Sequence, residues 1–352
     1  MRRSVMDQLE KKIYGSLLGG MIGDAMGAPC EDLTYEEIEK KFGWVSDFDG
    51  AGTDDSAIKQ ILCNAIVRHE GDVTADEWAE AFLEAREYYN LFFIPVKNMF
   101  HKLDSQLELP VYCGMGNMQS SSSAMSIAPI GLINPCNPYV ASYQAYDAAG
   151  LIHAGATTFC RDGATVIAAA VAEAMRPGIS PKEAVKVAVS TLHPKSSWVL
   201  LEKIEAALQC LEETGGDYRK FREKYYKDFL QDIVSDSRET VPCVLALFIL
   251  SEGVPQTAIE YAANFGRDAD TIGAMVGSIA GAYSGVDGFP KEWVRKVEAK
   301  FDTVQHISKE SQVSGVKVID QRKLSQKLAS IAAARYERLF DSYDSFLRLR
   351  RD

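Results

Sequence analysis

Residues 265–285 read FGRDADTIGAMVGSIAGAYSG, an acidic turn followed by a glycine-rich helical pattern. Apolar residues recur at three- and four-residue steps across 271–283, which is typical of an α-helix. Three glycines fall inside that helix, at 273, 277 and 281, and each costs about 1 kcal/mol relative to alanine. Because so many glycines oppose helix formation, the pattern indicates that a second helix backbone lies in close contact with this one.

The start of the chain shows a similar glycine-rich helical pattern, with Gly15, Gly19, Gly20, Gly23 and Gly27. Helical periodicity continues through much of the remaining sequence, over residues 9–22, 56–67, 75–88, 165–175, 181–189, 197–212 and 241–252. Short alternating patterns typical of strands occur at 45–48 and 316–319. The sequence therefore predicts an all-α fold, organised as an orthogonal helical bundle.

The organisation of the chain favours one domain. No linker, low-complexity tract or composition shift divides the 352 residues, so we expect a single domain over 1–352. A charged amphipathic pattern begins at Arg322. We expect it to belong to a C-terminal helical extension, over about 305–352, that packs on the periphery or forms an oligomer contact.

Composition excludes several classes of protein. A formal net charge of −11 argues against nucleic-acid binding, which relies on Lys and Arg to neutralise phosphates. The seven cysteines are scattered without C-x-x-C spacing, which excludes a disulfide framework and a zinc site and favours a reducing compartment. The longest apolar run, 241–250, is too short to span a bilayer, and Asp24 interrupts the apolar stretch that a signal peptide would need. We expect a soluble, cytoplasmic protein without nucleic-acid or membrane partners.

Two short acidic segments carry the candidate chemistry, GTDDS at 52–56 and RDADT at 267–271. Each directly precedes a helical pattern, so capping of a helix N-terminus is the simpler explanation of either segment alone. However, the aspartate pair at 54 and 55 exceeds what one cap needs, and 268–271 offers two carboxylates and a hydroxyl. Oxygen ligands without His or Cys select Mg²⁺, Mn²⁺ or Ca²⁺ over zinc. If the two segments face each other, they can hold two divalent cations.

A third segment, GGMIGDAMGAPCE at 19–31, has the glycine density of a phosphate-binding loop. It has neither the dinucleotide-binding spacing nor the P-loop spacing. A closely packed helix that ends in a Gly/Pro turn and presents Glu31 explains the segment better. At this point Glu31 is open to two interpretations, a solvated turn residue or a functional carboxylate.

Together these segments resemble the ADP-ribosylglycohydrolase family, which includes the dinitrogenase-reductase-activating glycohydrolases. The resemblance runs from residue 13 to about 297, and its motifs occur in the family's order: GGMIGDAMGAPCE, GTDDS, SAMSIAPIG at 123–131, and FGRDADTIGAMVGSIAGAYSG. It implies the all-α fold of that family. It departs from the family at 120–123, where a run of serines replaces a loop that contains glycine, asparagine and arginine.

The resemblance also implies roles for individual residues. Two Mg²⁺ ions, or Mn²⁺ in their place, are expected to bind Thr53, Asp54, Asp55, Asp268, Asp270 and Thr271. Catalytic roles are expected for Glu31, Asp55 and Asp268. Contacts with the bound ribosyl ligand are expected from Gly116, Asn117, Ser121, Ser122, Ser123, Met125 and His153.

The activity that the resemblance implies is metal-dependent cleavage of an N- or O-glycosidic bond at the anomeric carbon of a ribosyl group. ADP-ribose attached to a protein side chain or to a small molecule is the first substrate expected. A nucleoside or another simple ribosyl compound is the alternative, and the serine run at 120–123 favours it. Two further alternatives are open: a catalytically silent ADP-ribose-binding or structural relative, and another two-metal hydrolase such as a phosphatase.

Overall fold

The computed structural model describes residues 6–309 and 312–350, and most of them are helical. The α-helices are, in chain order, α1 (Gln8–Gly27), α2 (Tyr35–Phe42), α3 (Asp54–Arg68), α4 (Ala75–Glu84), α5 (Ile94–Asp104), α6 (Ala128–Leu132), α7 (Pro138–Ala149), α8 (Thr158–Ala174), α9 (Pro181–Val189), α10 (Trp198–Glu213), α11 (Tyr218–Asp228), α12 (Ser237–Leu250), α13 (Pro255–Ala263), α14 (Ala269–Ser284), α15 (Lys291–Glu298) and α16 (Gln321–Leu349). An antiparallel hairpin, β1 (Val304–Lys309) and β2 (Gln312–Lys317), lies between α15 and α16.

Helices α1 and α14 pack antiparallel with their backbones in contact. A methyl group added to Gly23 would lie 2.0 Å from the carbonyl oxygen of Gly273, and one added to Gly277 would lie 2.2 Å from the carbonyl oxygen of Gly19. Since Cβ atoms do not approach backbone so closely, only glycine fits at these positions. The close contact that the two glycine-rich patterns predict is therefore present, and it places the C-terminal end of α1 beside the first turn of α14.

The remaining helices bury one another around this pair. The alanine-rich centre of α8 and the apolar run of α12 are buried, as are nearly all residues of α14. Peripheral helices such as α2 and α15 bury only one face, through Ile38 in the first case and Trp293 with Val297 in the second. The fold is all-α, as the sequence predicted.

The C-terminal extension differs from its prediction. Only the part from Gln321 onward is helical, because residues 304–309 and 312–317 form strands β1 and β2. Gln305 of β1 donates an amide hydrogen bond to the carbonyl of Gly52 (2.8 Å). The strand predicted at 316–319 overlaps β2, whereas 45–48 forms no strand. The described residues do not include four positions of the predicted range, 310, 311, 351 and 352. Among the described residues, no helix combines the length and the apolar composition that a membrane crossing requires.

Candidate metal-binding cleft

Three helix ends that are distant in sequence converge on one cleft with a cavity volume of about 110 Å³. Its acidic wall comes from the turn after α1 and from the starts of α3 and α14, with Glu31, Asp54, Asp55, Asp268, Asp270 and Thr271. The opposite wall consists of Phe93, Ser121, Ser122, Met125, Val234 and Ser235. The two acidic segments of the sequence therefore lie side by side, because α1 packs against α14 and its Asp24 hydrogen-bonds the start of α3.

Backbone hydrogen bonds hold the turn after α1 against the start of α14. The amide of Asp32 donates to the carbonyl of Arg267, and the amide of Arg267 donates to the carbonyl of Leu33, both at 2.8 Å. Arg267 has a φ of 61°, an uncommon value for a residue with a side chain. Its guanidinium pairs at 2.8 Å with the fully buried carboxylate of Glu239, which stabilises this conformation.

This pairing brings three carboxylates together in the cleft. Oxygen atoms of Glu31, Asp268 and Asp270 all lie within 4.8 Å of one another. Glu31 is half-buried, whereas both aspartates are buried. Like charges at such distances repel strongly where water is excluded, so this group is suited to a cation.

The same repulsion affects the pKa values of two carboxyl groups in the acidic wall. Burial raises the pKa of Asp55 well above its usual range, and the neighbouring charges of Asp24, Asp54 and Asp268 add to the effect. Burial likewise raises the pKa of Asp270, with Asp55 as its strongest charged neighbour. The wall is therefore an electrostatically unfavourable arrangement that added positive charge would relieve.

Helix capping does not account for the acidic segments. Thr53 occupies the N-cap position of α3, but its hydroxyl makes no capping hydrogen bond, and the side chain of Asp268 does not cap α14 either. Within the part of the chain that the structure describes, Thr53 Oγ1 and Asp55 Oδ1 are buried and have no hydrogen-bond partner. Buried oxygens in this situation are costly unless a ligand satisfies them. The donor set is entirely oxygen, so the residues present fit Mg²⁺ or Mn²⁺.

Thr53 lies slightly apart from the other predicted ligands. It lines a small cavity behind the acidic wall, together with Lys59 and Gln305, rather than the cleft itself. The predicted set of six ligands thus divides into five residues that face the cleft and one behind it.

Asp24 holds part of the acidic wall in place and was not predicted from the sequence as a site residue. Its fully buried carboxylate accepts hydrogen bonds from the backbone amide of Thr53 (2.8 Å) and from both the amide (3.0 Å) and the hydroxyl (2.6 Å) of Ser56. These contacts fix the turn that presents Asp54 and Asp55. The signal was present in the sequence, since a carboxylate inside a glycine-rich apolar helix must be buried and therefore needs partners.

We expect Asp24→Asn to weaken Mg²⁺ binding by roughly 10–100-fold, the range typical of residues that orient metal ligands. An asparagine keeps the size of the side chain but turns an NH₂ group toward amide donors, which displaces the α3 turn. Isothermal titration with Mg²⁺ measures the effect. Asp162→Asn is the matched control, because Asp162 is also buried but hydrogen-bonds Ser197 Oγ (3.0 Å) and does not line the cleft. Equal Mg²⁺ affinity in both variants would contradict the assigned role.

The serine run at 120–123 forms part of the opposite wall, and only its middle residues face the cleft. Ser121 and Ser122 line it, whereas Ser123 points to the rear. Ser123 Oγ hydrogen-bonds His153 Nδ1 (2.9 Å), and Ser120 Oγ hydrogen-bonds His153 Nε2 (3.1 Å). His153 is completely buried, and burial lowers its pKa to about 3, so it is neutral.

Four of the residues predicted to contact ligand do not line the cleft, namely Gly116, Asn117, Ser123 and His153. His153 and Ser123 support the serine run from behind, because both ring nitrogens of the histidine already bond serine hydroxyls. The amide of Asn117 donates to the carbonyls of Pro95 (2.9 Å) and Ile152 (2.8 Å) and is not available to a ligand. Gly116 is exposed and does not line the cleft. Ser121, Ser122 and Met125 do line it.

Residues 6–326 match the family model described as ADP-ribosylglycohydrolase. The chain is 26% identical over 325 residues to the uncharacterized protein YegU of Escherichia coli K12, covering 84% of this chain and 93% of that protein. It is 25% identical over 326 residues to the ADP-ribosylhydrolase ARH3 of Danio rerio, covering 80% and 85%. A solved structure named ADP-ribosylglycohydrolase-related protein complex shares the fold, with a TM-score of 0.65 at 18% identity over 93% of this chain and 99% of that one. Because the family model spans nearly the whole sequence, the chain belongs to the ADP-ribosylglycohydrolase family.

Proposed function

We propose that the protein is a hydrolase that uses divalent cations to cleave the bond between the anomeric carbon of a ribosyl group and its substituent. The first substrate class is ADP-ribose attached to a protein side chain or to a small molecule. The family comprises hydrolases of ADP-ribose glycosidic bonds and is metal-dependent. The observation that supports the proposal in this chain is the set of Glu31, Asp268 and Asp270 oxygens within 4.8 Å, beside Asp54 and Asp55.

The ligands proposed for the cations are Asp54, Asp55, Asp268, Asp270 and Thr271, with Thr53 behind them. Cations held there supply Lewis-acid charge that fixes ribose hydroxyls and makes a nearby water more acidic. The side chains alone would repel an anionic group, so they also direct the neutral ribose, rather than a phosphate, to this wall.

Glu31 is the proposed general base. It lies at the rim of the acidic wall and is half-buried, whereas Asp55 and Asp268 are almost fully enclosed. A carboxylate in that position can accept the proton of the attacking water and release it to solvent. Asp55 and Asp268 are the alternative bases. The negative charge of the whole wall stabilises the positive charge that develops on the ribosyl ring in an oxocarbenium-like transition state.

One observation favours the second candidate, hydrolysis of a nucleoside or another uncharged ribosyl compound. Among the described residues that line the cleft, none is Lys, Arg or His. The two arginines nearest in sequence to that lining are already paired, Arg267 with Glu239 and Arg238 with Asp236. A diphosphate would therefore depend on the serine hydroxyls of the opposite wall, where Ser121 already donates to the carbonyl of Ser235 (2.7 Å).

Mass spectrometry of products separates the two substrate classes. The protein is incubated with Mg²⁺ and either ADP-ribosyl-arginine or a panel of nucleosides, with EDTA-treated samples in parallel. Release of ADP-ribose supports the first class, and release of ribose with free base supports the second. If neither product is released in a metal-dependent way, both substrate classes are contradicted. The silent relative and the phosphatase are then the remaining alternatives. Calorimetric titration then distinguishes those two, since a silent relative should not bind Mg²⁺ tightly.

A further inference from the structure

Helix α16 is anchored to the body of the protein only along its first half. Leu324, Leu328 and Ala332 are buried against other helices. Arg335 and Tyr336 end this anchored part. Arg335 donates hydrogen bonds to the carbonyl of Gly71 (2.9 Å) and to Asn134 Oδ1 (3.0 Å), and the hydroxyl of Tyr336 donates to the carbonyl of Pro135. The matched family segment ends at residue 326, near the start of this helix.

The second half of the helix carries an apolar stripe that faces solvent. Twelve of the fourteen residues at 337–350 are exposed. The stripe is defined by large side chains at three- and four-residue spacing, namely Tyr336, Leu339, Phe340, Tyr343, Phe346 and Leu349. Polar residues occupy the other face, where Asp344 and Arg348 pair along the helix at 2.7 Å. A solvated helix normally hides its apolar side, so this arrangement indicates a binding surface.

We propose that the α16 stripe docks against the α16 stripe of a second copy of this chain. The first reason is the spacing of its residues. Tyr336, Leu339, Tyr343 and Phe346 alternate steps of three and four, which is the a and d pattern of a coiled coil. An antiparallel pair with its twofold axis near residue 341 brings Tyr336 level with Phe346 of the second copy, and Leu339 level with its Tyr343. The stripe is thus complementary to itself, as a symmetric dimer requires.

The second reason is area. Large apolar side chains bury roughly 150–250 Å² each when fully covered, and these six are about half exposed, so they offer roughly 600 Å² per copy. Two copies would bury roughly 1,200 Å² in total, the lower limit of specific protein interfaces. The area suffices for a dimer, and its size predicts one that dissociates on dilution.

The antiparallel arrangement places the bodies of the two copies apart. In the antiparallel arrangement each body ends near its own residue 336, level with residue 346 of the other copy. The ten residues between them span about 15 Å at 1.5 Å per residue, so the two bodies lie at opposite ends of the helix pair.

The charges of this segment argue against a membrane surface as the occupant. Residues 337–350 contain three acidic and three basic side chains, so their net charge is zero: Glu337, Asp341, Asp344, Arg338, Arg348 and Arg350. Helices that lie on anionic membranes carry an excess of Lys and Arg on the polar face. A second copy needs no such excess.

Light scattering coupled to size exclusion, over serial dilution of the full chain, tests the proposal. We expect twice the chain mass at high concentration and the monomer mass at low concentration. Leu339→Glu/Tyr343→Glu should be monomeric throughout, because it places charge at the centre of the stripe. The matched control is Arg338→Gln/Ser345→Glu, which changes the net charge by the same two units on the exposed polar face and should remain dimeric.

A chain that ends at residue 338 keeps the Arg335 anchor and provides a second monomeric variant should the double glutamate unfold. Circular dichroism checks the folding of each variant. A wild-type chain that is monomeric at every concentration overturns the proposal, as does a dimer that survives removal of residues 339–352. Binding of a monomeric wild-type chain to anionic phospholipid vesicles would also overturn it.

Discussion

Asp270→Asn is expected to abolish cation-dependent hydrolysis while making the cation-free protein more stable. Asp270 is buried in the cleft, within 4.8 Å of the Glu31 and Asp268 oxygens. Loss of a residue that only supports metal ligands typically costs about 10–100-fold, and loss of a ligand should cost more, so we expect turnover to fall by at least about 10³-fold. Substrate turnover with Mg²⁺ and thermal unfolding with EDTA are the two measurements.

The stability effect follows from the raised pKa of Asp270. A carboxyl group whose pKa is higher in the folded protein than in the unfolded chain destabilises the fold when it is charged. That cost is absent below about pH 4, the usual range of aspartate, and grows as the pH rises toward the raised value. Acidification from neutral pH should therefore stabilise the cation-free wild type more than the Asp270→Asn variant.

Mg²⁺ should raise the melting temperature of the wild type but not that of the Asp270→Asn variant. The control is again Asp162→Asn, which should keep both turnover and the response to Mg²⁺. Undiminished cation-dependent turnover in the Asp270→Asn variant would remove the basis of the proposed function.

Gly23→Ala is expected to have the largest effect on stability. The new methyl group would lie 2.0 Å from the carbonyl oxygen and 2.4 Å from the carbonyl carbon of Gly273. Backbone cannot move aside as a side chain can, so α1 and α14 must separate. We expect a loss of about 3 kcal/mol in the free energy of unfolding, the upper end of the usual cost of overpacking. Urea denaturation measures it.

Function should decline with stability in this variant, because the last turn of α1 carries Asp24 and leads into Glu31. Gly163→Ala in α8 is the control. Its methyl group would meet Val241 Cγ2 at 3.1 Å, a side-chain contact that can adjust. Alanine also gains about 1 kcal/mol of helix propensity, so we expect stability near that of the wild type. A similar loss in both variants would show that the loss does not arise from the α1–α14 contact.

The sequence allowed the central helix pair and the acidic wall to be predicted. Glycines inside a helix are costly, so their repetition in α1 and α14 pointed to backbone contact. Adjacent aspartates at 54 and 55 exceeded the needs of a helix cap, which pointed to a cation. Both signals come from residues that are close together in the sequence, so they can be recognised without knowledge of the fold.

Features that depend on tertiary contacts were not predictable in the same way. Phe93 and Ser235 line the cleft because of where α5 and α12 pack, and nothing in their sequence neighbourhood marks them. His153 was expected to contact the ligand, but it is buried in the core, where it hydrogen-bonds Ser120 and Ser123 instead. The β1–β2 hairpin was missed except at its C-terminal end, since its pairing forms against the rest of the protein.

The α1–α14 contact also has a consequence for the order of folding. It joins residues 23 and 273, so a loop of about 250 residues must close before the two helices meet, and contacts so distant along a chain form slowly. The carboxylates of the cleft are consequently dispersed in partly folded chains and converge only at the end. Capture of a cation would then mark the completion of folding rather than guide its early steps.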